Sequence, residues 1–183
     1  MKVFFTADTH FGHRNIIRYA SRPFESVFEM NEYMIAYWNN TVTNEDIVYH
    51  LGDFGLAPKS VLKNILSKLN RKKIILIRGN HDKGEVNMLD IGFDEVHKYM
   101  EFRRDKLNFF LSHVPMYTPY HDACICGHSH NAFKINGNII NVGVDNFYFR
   151  PVELETILEI MKSDTFGKEN FKPMYIPAEG EDK

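Results

Sequence analysis

The chain has only two cysteines, Cys124 and Cys126, with one residue between them. That number and spacing exclude a disulfide framework and suit a reducing interior. No apolar run approaches the ~20 residues of a membrane span. The apolar start, Met1 to Phe5 with one lysine, is too brief for a signal-peptide core before Asp8 intervenes. These absences predict a cytoplasmic protein with no membrane partner. An excess of charge is also missing, the formal net charge being −2. No long-range field therefore favours tight, sequence-independent binding to nucleic acid or anionic lipid. Internal repeats, linkers and low-complexity blocks are absent as well. What is present, 183 residues of which 44% are hydrophobic and 25% charged, is ordinary globular composition. It is long enough for a core that needs no cross-links. One domain is expected over residues 1–162. From Ser163 onward Gly, Lys, Glu, Pro and Asp accumulate without periodicity, so 163–183 reads as a loosely packed or partly disordered extension.

The most informative stretch is Arg78-Gly79-Asn80-His81-Asp82, directly after the apolar run Ile74 to Ile77. A mostly β-branched run followed by glycine and metal-capable side chains reads as a buried strand delivering chemistry at its carboxyl end. The rest of the chain repeats that theme. Lys2 to Ala7 is a strand running into Asp8-Thr9-His10, and Asp46 to Leu51 is a strand ending at Gly52-Asp53. Between them, Arg14 to Glu25 reads as a short helix and loop, and Ser26 to Thr43 as an amphipathic helix with Met30, Met34, Ile35 and Trp38 on one face. Pro58 opens a second helix that Asn70 closes. Strand, helix, strand in this order predicts parallel βαβ units with right-handed crossovers.

After Gly84 the pattern changes. Glu95 to Arg103 and Leu107 to His113 read as two hairpin-type strands around Arg104-Asp105-Lys106. Asp122 to Cys126 is a strand ending at Gly127-His128-Ser129-His130, and Phe133 to Ile140 alternates around the hairpin signal Asn136-Gly137. Pro151 to Lys162 reads as a last short strand and helix.

Five strand ends thus offer Asp8 and His10, Asp53, Asn80 and His81, His113, and His128 with His130. Mixed oxygen and nitrogen donors suit Mn, Fe, Co, Ni or Zn and not calcium, which takes oxygen alone. The set is too large for one ion. It fits two ions about 3.5–4 Å apart sharing one carboxylate, a geometry that clamps the attacking and leaving oxygens of a displacement at phosphorus.

Asp8-Thr9-His10, Gly52-Asp53, Gly79-Asn80-His81-Asp82, the single His113 and Gly127-His128-Ser129-His130 occur in the order of the calcineurin-like metallophosphoesterases, which the sequence resembles from Val3 to about Asn141. The resemblance implies an α/β fold, a four-layer α/β/β/α sandwich with two mixed β-sheets. It implies two divalent ions, with Mn favoured. Asp8, His10 and His130 would hold one, Asn80, His113 and His128 the other, and Asp53 would bridge them. His81 would face the phosphate as charge stabiliser or general acid, and the nucleophile would be a hydroxide held between the ions. Asp82 either orients His81 or serves the turn. Phe54-Gly55-Leu56-Ala57 follows Gly52-Asp53 where many members carry a further carboxylate or amide.

His13 and Arg14 are candidate substrate contacts, or alternatively cap the next helix, and Asn80 belongs to both ligand and substrate sets. His50 reads as a packed histidine that acts at most through another residue, while His97 and His121 read as structural or surface residues. Cys124 and Cys126 share one strand face and read as core thiols. Arg71-Lys72-Lys73 lies before the third strand, at the end opposite the site. The expected activity is hydrolysis of a phosphoester, preferably a nucleotide-type phosphodiester or the end of a short nucleic acid. A phosphomonoesterase and a non-catalytic metal-binding scaffold are the alternatives. Residues 14–44 are the expected source of specificity, or simply a helix packed on the sheet.

Overall fold

The computed structural model describes residues 1–167; the expectation for the tail beyond them lies outside the described residues. Two mixed five-stranded sheets organise the chain. The first contains β1 (Val3–Thr6), β2 (Ile47–His50), β3 (Lys73–Ile77), β4 (Glu95–His97) and β10 (Val152–Glu153), in the order β10-β1-β2-β3-β4. β1 to β4 are parallel, and β10 closes the edge antiparallel to β1. The second contains β5 (Tyr99–Arg104), β6 (Leu107–Ser112), β7 (Ala123–Cys126), β8 (Ile135–Asn136) and β9 (Ile139–Asn141), in the order β5-β6-β7-β9-β8. Here β6, β7 and β9 are parallel, while the hairpins β5-β6 and β8-β9 supply the antiparallel pairs.

Alternation along the strands assigns each side chain to a layer. Phe4, Val48, Ile74 and Leu76 join the core formed with helices α1 (Ile16–Tyr19), α2 (Val27–Thr41), α3 (Lys59–Lys68) and α4 (Glu85–Ile91). Phe5, Leu51 and Ile77 join Phe109, Leu111, Ile125 and Ile140 in a second core between the sheets, to which α5 (Leu154–Lys162) adds Leu154 and Ile157. Cys124 and Cys126 are buried free thiols that pack with Ile139, Phe110 and Phe133 in a third, smaller cluster.

The helices begin and end for local reasons. The Ser26 side chain accepts from the Glu29 N–H at 3.1 Å, and the Glu29 carboxylate accepts from the Glu25 N–H, so exposed amides at the start of α2 are satisfied reciprocally. Trp38 is buried and donates its indole N–H to the Asn70 carbonyl, tying α2 to the end of α3. Arg71 donates to the carbonyls of Leu66 and Leu69, so it caps α3.

Two expectations needed revision. The run from Glu95 to Arg103 is not one strand: it divides at Lys98, β4 joining the first sheet and β5 the second. Residues 85–91, which carry no helical periodicity, form α4, closed by Gly92 at φ 122°. With only Met88 and Ile91 buried, the helix offers too short an apolar stripe for periodicity to register.

Candidate metal centre

The carboxyl ends of β1, β2, β3, β6 and β7 converge, and the five polar strand ends meet there. The chain reaches this arrangement by leaving extended geometry abruptly. Asp8 (φ 57°), His10 (49°), Asp53 (57°), His128 (69°) and His130 (44°) all adopt left-handed backbone conformations. This costs an ordinary L-residue of order 1 kcal/mol or more each. Five of the seven candidate ligands share this conformation, so the turns that aim the side chains are paid for by the surrounding contacts. Gly79 shows how close the loops lie. A Cβ there would stand 2.1 Å from Asp53 Oδ1 and 2.6 Å from the Asp53 nitrogen.

The side chains fall into two groups, Asp8 with His10 and His130, and Asp53 with His113 and His128. Within each, one ligand atom per residue lies within 4.8 Å of the others. Asn80 joins the second group. Its amide oxygen is 3.0 Å from His113 Nε2 and 3.1 Å from His128 Nδ1. Asp53 stands between the groups, with Oδ2 3.3 Å from His113 Nε2 and 3.6 Å from His10 Nε2. Its other oxygen accepts the His81 backbone N–H at 2.9 Å.

Burial and mutual charge set the protonation of these groups. Desolvation pushes the Asp8 carboxyl up to about 6, against the pull of His113 and His130. Burial also disfavours the Asp53 carboxylate, but its bond to His113 and the imidazoles of His113 and His10 outweigh this and hold it well below the usual carboxylate range. For His113 burial opposes the charged form, yet the bond to Asp53 and the charges of Asp8 and Asp53 lift it to about 9. Its Nδ1 lies 2.7 Å from the Leu51 carbonyl oxygen, which only accepts, so Nδ1 carries a proton and Nε2 is the atom turned to the site.

A surrounding shell of polar groups fixes this geometry, and most of it had no signal in the sequence. Asp82 accepts from the backbone N–H groups of Asp53 at 2.8 Å, Phe54 at 3.0 Å and Gly79 at 2.8 Å, clamping the loops after β2 and β3 together. This is the turn-serving alternative for Asp82. Arg22, 4% exposed, donates to the carbonyls of Asp8 and Thr9 and grips Asp145 with two nitrogens. Asp145 in turn accepts from His130 Nδ1 at 3.0 Å, which presents Nε2 to the first group. Burial opposes ionisation of Asp145, but the contacts with His130 and Arg22 prevail and its pKa is lowered. Arg22 belongs to the 14–44 segment expected to supply specificity, but its hold on Asp8, Thr9 and Asp145 has no signal in the sequence, and Asp145, in an irregular segment after Val144 without motif or periodicity, has none at all.

His50 acts through Thr9. The Thr9 hydroxyl donates to the Phe54 carbonyl at 2.7 Å, so at 3.0 Å from His50 Nε2 it must be the acceptor, and Nε2 carries the imidazole proton. His50 Nδ1 has no hydrogen-bond partner among the described residues. Rings of Phe54 and Phe93 flank the imidazole, and burial drives its pKa down to about 3.

His81 lies beside the first group, its ring centroid 5.4 Å from that of His10 and 6.2 Å from that of His13. His13 is 5% exposed and its Nδ1 is 3.3 Å from His10 Nδ1, on the side of that ring away from Asp53. Arg14 is exposed next to it. Residues 14–44 pack on the sheet through Met30, Met34, Ile35 and Trp38, and reach the site through Arg22.

The donors suit a metal. Each group combines a carboxylate with two imidazoles, and the second adds an amide oxygen. That is chemistry for borderline divalent ions. Fold and site together define an α/β protein with two candidate metal positions side by side at the carboxyl ends of its strands. The calcineurin-like phosphoesterase superfamily domain matches residues 1–144, and the chain belongs to that superfamily. An uncharacterized protein of Methanocaldococcus jannaschii, MJ1445, is 37% identical over 173 residues, covering 88% of this chain and 92% of its own. The crystal structure of AQ665 from Aquifex aeolicus, a protein of unknown function, superposes with a TM-score of 0.71 at 26% identity, over 87% of this chain and 98% of that one. No helix among the described residues is long and apolar enough to cross a membrane.

Proposed function

We propose that this protein is a dinuclear metal-dependent phosphodiesterase acting on a nucleotide-type diester, working as a single domain over residues 1–162 in the reducing cytoplasm that suits its two buried thiols. The observation that carries the proposal is the position of Asp53, whose Oδ2 stands 3.3 Å from His113 Nε2 and 3.6 Å from His10 Nε2. One carboxylate so placed would be shared by both positions. Asp8, His10 and His130 would hold one ion, and Asn80, His113 and His128 the other. Bound there, two divalent ions, with Mn favoured, would supply charge to neutralise the phosphate and acidify the attacking water.

The chain's own residues do the rest. His81, fixed at its backbone by Asp53, gives a proton to the leaving oxygen as its bond to phosphorus breaks, while water adds at phosphorus from the opposite side and releases a proton to solvent. His13, packed against His10 with its ring 6.2 Å from that of His81, holds the His10 ring in place and reaches towards the substrate beside His81. Arg14 contributes positive charge at the rim.

The test is hydrolysis of bis-p-nitrophenyl phosphate beside p-nitrophenyl phosphate with added Mn²⁺, with and without chelator, in wild type and Asp53→Ala. Diester turnover that chelator and Asp53→Ala both abolish is the expected result. Preference for the monoester would replace the diester assignment, and metal binding without turnover of either would make the protein a scaffold.

A further inference from the structure

Beside the second ligand group lies an open cleft of about 360 Å³, reaching from Asn80 and His113 to Arg78, Lys98, Tyr99 and Met116. Its size falls within the about 300–1,000 Å³ usual for small-ligand sites. None of these last four residues serves the chemistry proposed above.

The topology explains why two cations meet here. β3 and β4 are parallel with Ile77 opposite His97, so the next residue of each strand is Arg78 and Lys98. The Arg78 N–H still donates to the His97 carbonyl at 2.8 Å, which holds the two chains side by side. Like charges on adjacent strands repel. Both side chains are exposed, and no ion pair among the described residues neutralises either, whereas nearby Lys73 and His97 both pair with Glu95. An anion in the cleft removes the conflict.

Lys98 is also the point where the chain crosses from one sheet to the other, and the next residue, Tyr99, opens β5. Tyr99 is 60% exposed and stacks on Phe110 with ring centroids 5.8 Å apart and planes inclined at 26°. An aromatic wall beside paired cations, continuous with a hydrolytic site, matches a nucleotide: a base has a π-face for stacking and its phosphate a charge for the cations.

We infer that this cleft binds the nucleotide that continues beyond the scissile bond, its phosphate between Arg78 and Lys98 and its base against Tyr99. The substrate is therefore a short oligonucleotide with at least one phosphate besides the one attacked. A cyclic mononucleotide has no second phosphate to place there. The inference rests on the phosphodiesterase reading and narrows it.

The experiment compares a dinucleoside monophosphate with the same compound carrying a terminal phosphate methyl ester, both in Mn²⁺, with products separated by chromatography. The flanking phosphate should raise kcat/KM at least about tenfold in wild type, and Arg78→Ala combined with Lys98→Ala should bring the ratio to within about twofold, the effect falling with added salt. Tyr99→Ala should raise KM for both compounds. A wild-type ratio near one, or a ratio that survives the double substitution, overturns the cleft assignment while leaving hydrolysis of the chromogenic diester intact. Failure to hydrolyse any diester overturns the underlying reading and this inference with it.

Discussion

Arg22 grips Asp145 through two hydrogen bonds, Nε to Oδ1 at 2.8 Å and Nη2 to Oδ2 at 3.0 Å, in a setting where both side chains are almost wholly buried. The same guanidinium holds the carbonyls of Asp8 and Thr9, and the same carboxylate holds His130. One ion pair thus fixes two candidate ligands that are 122 positions apart in the chain, Asp8 and His130.

Removing either partner strands a buried charge. Arg22→Ala should destabilise the protein by about 3–5 kcal/mol in urea unfolding. Asp145→Asn, which keeps the shape, should instead weaken metal binding by about 10–100-fold with a smaller loss of stability. Titration calorimetry with Mn²⁺ reads the second effect, and unchanged affinity in Asp145→Asn would show that His130 does not need this orientation.

Gly79→Ala tests the close approach of the loops after β2 and β3. The added methyl would meet the Asp53 carboxylate, and behind it the Asp53 backbone nitrogen at 2.6 Å, which cannot yield as a side-chain end could. We expect about 1–3 kcal/mol of destabilisation from overpacking, together with loss of hydrolysis because Asp53 is displaced. Wild-type activity in this variant would mean the loops are free to separate.

Asn80 and His81 are neighbours with different assignments. Asn80 Oδ1 meets the nitrogens of His113 and His128, so Asn80→Ala should lower the metal content from two ions towards one by elemental analysis. His81→Ala should keep both ions and lose about 10²–10⁴-fold in kcat, the contribution of a positioned proton donor. Loss of an ion on replacing His81 would reverse the assignment.

His50 makes the protein sensitive to acid. Its folded pKa is depressed to about 3, against about 6.5 in the unfolded chain. Between these values the unfolded state binds the extra proton, so stability rises with pH and is lost as pH falls. His50→Gln retains a donor to Thr9 but cannot titrate. Stability of wild type relative to this variant should therefore fall by about 1.4 kcal/mol per pH unit below about 6.5, measured by urea unfolding of metal-free protein at pH 7, 6 and 5. A pH-independent difference would mean that His50 takes up a proton without disturbing the fold.

Much of the fold was legible because it rests on local periodicity. β1, β2 and β3 read as apolar runs ending in polar clusters, and α2 as a stripe of Met30, Met34, Ile35 and Trp38 introduced by Ser26. The short helix after Gly84 leaves no trace in the sequence because two buried positions are too few to define a period. The division at Lys98 is not legible because residues on both sides of it favour extended structure, so nothing local marks where one sheet is left for another. That crossing is also what creates the cleft of Arg78, Lys98 and Tyr99.

By itself the sequence determined the inventory of the site: which strands end in Asp8, His10, Asp53, Asn80, His113, His128 and His130, and the kind of ion such donors suit. Those assignments follow from side-chain chemistry and strand order, both of which are local. Only the tertiary structure decided which residues hold these groups in place. Arg22 and the carboxylate of Asp82 hold backbone atoms, which carry no identity for a sequence to display, and Asp145 and His50 hold side chains far away in the chain, His130, Arg22 and Thr9.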